Sequence, residues 1–127
     1  MASESILIVD DNVWIRRLLL TLLGRQGYEC EQAHDGVKAI EMLRSGSWSG
    51  VVLDLMMPRA DGLEVIRFLE AERSDLLERT IVVTADSGRW GHGNLDRVAR
   101  VVRKPFDVEE FVKVASDVFG AAPGPSG

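Results

Sequence analysis

The chain carries a single cysteine, Cys30, in 127 residues. A lone thiol closes no internal disulfide, so the fold must rest on its core. Cys30 falls in an apparent strand, Tyr28 to Ala33, where a small buried side chain is the expected role rather than a nucleophile. Long apolar runs are also missing. A bilayer-spanning helix takes about 20 apolar residues, and no run here approaches that length. No basic segment leads into an apolar one in the manner of a secretory signal, so a cytoplasmic protein with no membrane association is expected. An excess of positive charge is absent too. The net charge is −5, which argues against direct nucleic-acid binding through a broad basic surface. No internal repeat is visible.

What is present suits one ordinary domain. Apolar residues make up 46% and charged residues 28%, enough for a core and a normal surface. Three short apolar runs each end in a polar residue. Ile6-Leu7-Ile8-Val9 stops at Asp10-Asp11, Val51-Val52-Leu53 at Asp54, and Ile81-Val82-Val83 at Thr84. A weaker run, Val101-Val102, precedes Lys104-Pro105. Short β-branched runs of this kind suit strands buried on both faces.

Helical spacing fills the gaps. Val13 to Gln26 places Ile15, Leu18, Leu19, Leu22 and Leu23 at helical intervals, and Gly27 fits its C-terminal stop. A second helix is expected from Gly36 to Arg44, with Val37, Ile40 and Leu43 on one face. A third follows the Pro58–Gly62 turn and carries Leu63, Val65, Ile66 and Leu69. Gly88, Gly91 and Gly93 speak against a regular helix before Asn94, which leaves a short, shortened helix from Leu95 to Arg100. Asp107 reads as the N-cap of a last helix bearing Phe111, Val112, Ala115 and Phe119. Trp48, in a Ser-Gly-Ser-Trp-Ser-Gly stretch, reads as a partly buried loop anchor. Arg16 and Arg17 read as charges on the exposed face of the first helix. Residues 1–119 are expected to form the domain and 120–127 a flexible tail or the start of a linker. Alternating strands and helices point to a doubly wound α/β sheet.

In open parallel sheets, ligands sit outside the carboxyl ends of the strands. If the four runs are neighbours, Asp10, Asp11, Asp54, Thr84 and Lys104 meet at one edge. Crowded carboxylates repel, so at least one has a raised pKa unless a cation sits among them. Mg²⁺ favours a few carboxylates together with waters and phosphate oxygens. Thr84 can donate to a phosphoryl oxygen, and Lys104 supplies a point charge. The set fits a carboxylate nucleophile that forms an acyl phosphate.

At this point the chain resembles the receiver domain of a two-component response regulator, the CheY-like family. The resemblance runs from residue 6 to about 119. It is carried by Ile6-Leu-Ile-Val-Asp-Asp-Asn12, Asp35-Gly36, Val51-Val-Leu-Asp-Leu-Met-Met-Pro58, Asp61-Gly62, Ile81-Val-Val-Thr-Ala85 and Lys104-Pro-Phe106. The resemblance implies a flavodoxin-like, five-stranded parallel sheet of order 2-1-3-4-5 flanked by helices. It implies that Asp54 is the phosphoacceptor and that Asp11, Asp54 and the backbone carbonyl of Met56 ligate Mg²⁺, with Asp10 helping directly or through water. It makes Thr84 the switch hydroxyl and Lys104 the site lysine. The implied donor is a sensor histidine kinase or a histidine phosphotransfer protein. A downstream output domain or protein and a phosphorylation-dependent dimer are further implied partners. The only chemistry implied is self-catalysed phosphoryl transfer and autodephosphorylation, as in a signalling domain rather than an enzyme. Ala85 fits the small residue that leaves the phosphoryl group accessible.

The pattern departs from the family between Thr84 and Lys104. That stretch is about two residues short, Arg97-Val98 replaces the usual Gly-Ala, and Val101 stands where receivers commonly carry an aromatic residue. The expected switch is therefore an ordering of residues 85–94 on phosphorylation, the alternative being a degenerate loop with output through dimerisation elsewhere. Two other function classes compete. One is a receiver-shaped module that signals without phosphate, against which the complete five-residue set counts. The other is a phosphohydrolase using an aspartyl phosphate. It needs a second carboxylate two positions after the nucleophile, and Met56 stands there.

Overall fold

The computed structural model describes residues 5–57, 62–85 and 97–120. Five parallel strands form one sheet: β1 Ser5–Val9, β2 Cys30–Ala33, β3 Trp48–Asp54, β4 Thr80–Thr84 and β5 Arg100–Arg103. Their order is β2-β1-β3-β4-β5, as the resemblance implied. Among the described residues five helices accompany them: α1 Val13–Arg25, α2 Gly36–Leu43, α3 Gly62–Glu72, the single turn α4 Ser74–Leu77, and α5 Val108–Phe119. None of them is long and apolar enough to cross a membrane.

The period-two geometry of a strand explains why the central runs are apolar throughout. Alternate residues enter two separate cores. Leu7, Val9, Val51, Leu53 and Val82 face α2, α3 and α4, where they meet Leu43, Val65, Leu69, Leu76 and Leu77. Ile6, Ile8, Val52, Ile81 and Val83 face α1 and α5, where they meet Leu19, Leu23, Phe111 and Ala115. Each of the Val, Leu, Ile and Phe side chains among them contributes about 1.5–3 kcal/mol through burial. Both faces of the sheet are covered, which leaves the strand ends as the place for polar chemistry.

Local signals set the helix ends. Asn12 caps α1 by accepting from the Trp14 and Ile15 amides, Asp35 caps α2 through Lys38 N–H, and Asp107 caps α5 through Glu109 N–H. Gly27 follows α1 with φ of 94°, a left-handed conformation that glycine adopts without a Cβ penalty. Gly62 opens α3 in close approach to β3. A Cβ there would meet the Asp54 carbonyl oxygen at 2.8 Å, so only glycine lets α3 start directly under the end of β3.

Several expectations are corrected. Trp48 is not in a loop: it opens β3 and is 9% exposed. Its indole N–H donates to the carbonyls of Met42 and Ser45, satisfying the end of α2. Leu18 and Val37, read as core-facing, are exposed, and Ala39 takes the buried position in α2. The one-turn α4 was not foreseen. The described part of the segment expected to be a short fourth helix is not helical: Arg97–Ala99 make a turn and bends, and Arg100 begins β5. There the Ala99 amide donates to Thr80 O, so the chain is already drawn to the edge of β4. Leu95 and Asn94, the glycine-bearing stretch and the expected ordering segment after Ala85 lie outside the described residues, as does 121–127.

At the amino ends of the strands, the C-terminus of α5 is fastened down. The Arg79 guanidinium donates to Ser49 O and Phe119 O, and the Tyr28 hydroxyl donates to Gly120 O. The Tyr28 and Phe119 rings meet edge to face at 5.9 Å. Phe119 also covers Gly50, where any Cβ would enter its ring.

Candidate functional site

The carboxyl ends of β1, β3, β4 and β5 bring the sequence-predicted residues to one edge. Asp10 follows β1 directly. Its N–H donates to Ala33 O at 3.2 Å, the next step beyond the β1–β2 pairing of Val9 with Ala33. Asp54 is the last residue of β3, paired with Val83 of β4. Thr84 closes β4, fully buried, and its carbonyl accepts from Lys104 N–H at 2.9 Å. That bond places Lys104 just past β5, ahead of a cis peptide to Pro105.

Lys104 joins the two buried acids. Its Nζ lies 3.1 Å from Asp10 Oδ2 and 3.5 Å from Asp54 Oδ2. The remaining oxygens are held by backbone: Asp10 Oδ1 accepts from Asn12 N–H at 2.9 Å, and Asp54 Oδ1 from Met56 N–H at 3.0 Å. Asp10 is 1% exposed and Asp54 4%, while Asp11 is exposed at the mouth. The three carboxylates each offer an oxygen within 4.8 Å of the others.

One ammonium does not balance three carboxylates. Burial pushes the Asp54 carboxyl up from 3.8 to about 6. The Met56 N–H opposes that rise, the charge of Asp10 adds to it, Lys104 opposes it, and Asp11 adds a little more. The surplus negative charge and the all-oxygen donor set are what a hard divalent cation takes.

Two residues of this site were not recognised from the sequence. Arg16 lies less exposed than a charge on a solvent face. It donates from Nη1 to Asp10 O and from Nε to Gln32 Oε1, both at 2.9 Å. Asn12 caps α1 with its side chain and holds Asp10 with its amide. An Asn just before an apolar-periodic run is the readable signal for the second. Trp14, 71% exposed, stands beside the Arg17 guanidinium at 5.9 Å. His34 is exposed, 3.5 Å from Asp35, and His92 lies outside the described residues. The groove between α1 and α5, about 580 Å³ and lined in part by Leu22, Arg25, Val108 and Val112, shares no residue with the acidic cluster.

Residues 6–116 match the response regulator receiver domain. The chain belongs to that family. This receiver is 45% identical over 112 residues to the response regulator MprA of Mycobacterium ulcerans (strain Agy99), a match covering 87% of this chain and 47% of that protein. It is 44% identical to MprA of Mycobacterium tuberculosis (strain H37Rv), covering 87% and 48%. The chain thus spans about half the length of the curated relatives it matches. Among solved structures, the receiver resembles the response regulator TrrA of Thermotoga maritima in complex with Mg(2+)-BeF. The two are 31% identical with a TM-score of 0.82, over 91% of this chain and 99% of that one. A CheY-like receiver from Methanospirillum hungatei JF-1 is 27% identical, with a TM-score of 0.75 over 92% and 94%.

Proposed function

We propose that this receiver accepts a phosphoryl group from a phosphohistidine onto Asp54, in a Mg²⁺-dependent reaction, and thereby switches its interactions with a partner or output domain. The observation that carries the reading is the Lys104 ammonium set between two buried carboxylates, with a third at the mouth. The donor set fits the cation, and the TrrA receiver with Mg(2+)-BeF supports the same ligand class. Asp11, Asp54 and the Met56 carbonyl would hold Mg²⁺, with Asp10 directly or through water. When bound, the ion neutralises charge on the phosphoryl oxygens.

The rest falls to the chain's own groups. With its carboxyl at about 6, Asp54 is mostly ionised at neutral pH and free to attack. Its oxygen forms a bond to phosphorus as the P–N bond of the phosphohistidine breaks. The imidazole keeps the electron pair. Lys104 moves its charge toward a phosphoryl oxygen, and Thr84 donates its hydroxyl to another. Ala85, exposed and small, leaves room for the water that later hydrolyses the acyl phosphate. The donor is a sensor histidine kinase or a histidine phosphotransfer protein in the cytoplasm. Residues 1–119 make up the receiver, with 120–127 as a tail or linker outside it.

Intact mass after incubation with acetyl phosphate and Mg²⁺ tests this. The wild type should gain one phosphoryl group, and Asp54→Asn should gain none, because the amide is nearly isosteric and not nucleophilic. A stable adduct on Asp54→Asn, or none on the wild type, would overturn the assignment.

A further inference from the structure

Asp10 and Asp11 are joined by one peptide, and that peptide lies past the last rung of the sheet. The pairings of β1 with β2 and β3 end at Val9. Beyond it the Asp10 amide still reaches Ala33, but its carbonyl has no strand opposite to accept from. Arg16 fills that place. One guanidinium nitrogen donates to Asp10 O while Nε is tied to Gln32 of β2. The planar fork is thus held at two points, and it fixes the peptide plane from which Asp11 departs. Asp11 is the exposed member of the cluster, and its own side chain has no burial to steer it.

We propose that Arg16 is a positioning residue for the acidic site, orienting the Asp10–Asp11 peptide so that the Asp11 carboxylate is preset toward a divalent cation. The inference rests on the Mg²⁺-dependent reading above. Groups that orient metal ligands typically change affinity about 10–100-fold when removed. Arg16 acts on a backbone carbonyl rather than on a ligand side chain, so the low end, about tenfold, is expected.

The sign of the effect is diagnostic. Charge alone predicts that deleting a guanidinium near three carboxylates tightens cation binding. Positioning predicts the reverse. Mn²⁺ binding, followed by electron paramagnetic resonance, reads the affinity directly on the whole chain. Arg16→Ala should weaken it about tenfold. Arg16→Lys, which offers one donor nitrogen in place of two, should recover part of the loss. Gln32→Ala, which frees Nε alone, should weaken binding by a smaller factor and serves also if Arg16→Ala fails to fold. Acetyl phosphate kinetics should show the Arg16→Ala defect at low Mg²⁺ and its disappearance at saturating Mg²⁺. Unchanged or tighter Mn²⁺ binding in Arg16→Ala and Gln32→Ala would overturn the positioning role while leaving the phosphoacceptor reading intact. So would slowing of equal size at every Mg²⁺ concentration. A wild type that binds no Mn²⁺ would overturn both.

Discussion

Asp54→Asn should make the metal-free protein more stable at neutral pH, and the gain should vanish in acid. The Asp54 carboxyl is pushed from 3.8 to about 6, mainly by burial. A folded-state value above the unfolded one means that the folded protein holds the proton more tightly. The stability from that proton is fully present below pH 3.8 and is lost as pH rises through about 6. Roughly two powers of ten in proton affinity, at about 1.4 kcal/mol each, amount to about 3 kcal/mol. Above pH 7 the wild type carries that cost as an ionised, desolvated carboxylate, and the amide does not. The amide oxygen can still accept from Met56 N–H. Subtracting the two proteins cancels the titrations of groups that do not sense the Asp54 charge. Urea melts from pH 3.5 to 8 with a chelator present would measure it. The stability of Asp54→Asn relative to wild type should rise across pH 4–7 by up to about 3 kcal/mol, or about 10 °C in Tm. A difference that is flat over this range, or that falls with pH, would refute the account of Asp54.

Mg²⁺ should stabilise the wild type at neutral pH because it relieves repulsion among Asp10, Asp11 and Asp54, with a midpoint that climbs with concentration. Asp11→Ala should blunt that climb and slow phosphorylation, and an unchanged wild-type midpoint at millimolar Mg²⁺ in thermal melts would count against a preformed site. Gly50→Ala tests the far end of the sheet: its Cβ would enter the Phe119 ring and lie 2.9 Å from the Arg79 carbonyl. Crowding there should cost about 1–3 kcal/mol, read by chemical denaturation, and a loss under 0.5 kcal/mol would show that Phe119 yields freely.

The meeting of the polar residues at one edge was legible because strand ends leave a written trace. β1, β3 and β4 are apolar to their last turn of pleat, so the residue that breaks each run, Asp10, Asp54 or Thr84, is also the residue at the sheet edge. β5 leaves no such trace, because Arg103 ends its short run and only Val102 is buried; Lys104 was picked out by the Lys-Pro-Phe segment of the resemblance instead. The misses arose where one residue serves two demands. Turn-forming neighbours around Trp48 suggested a loop, whereas its ring belongs to the core and its N–H to the end of α2. Arg16 sits where helix periodicity predicts solvent. A long guanidinium stem can leave its own face to satisfy a carbonyl elsewhere, and periodicity carries no information about that. α4, with four residues, is too short to show any period. Its carbonyl at Leu76 accepts from the Arg79 amide and also from the Thr80 hydroxyl, and only the fold reveals the second contact.

The fastening of Phe119 and Gly120 has a practical consequence for anyone attaching a reporter. Arg79 and Tyr28 hold the carbonyls of these residues against the starts of β2, β3 and β4. The acidic cluster lies at the other ends of the same strands. Gly50, under Phe119, and Asp54 are four strand steps apart, about 13 Å along β3. A fluorophore or surface tether joined after Gly120 therefore starts from a fixed origin on the side of the sheet away from the acids. A donor protein can approach Asp54 without meeting the attachment at its root, and immobilised protein would present its chemistry outward.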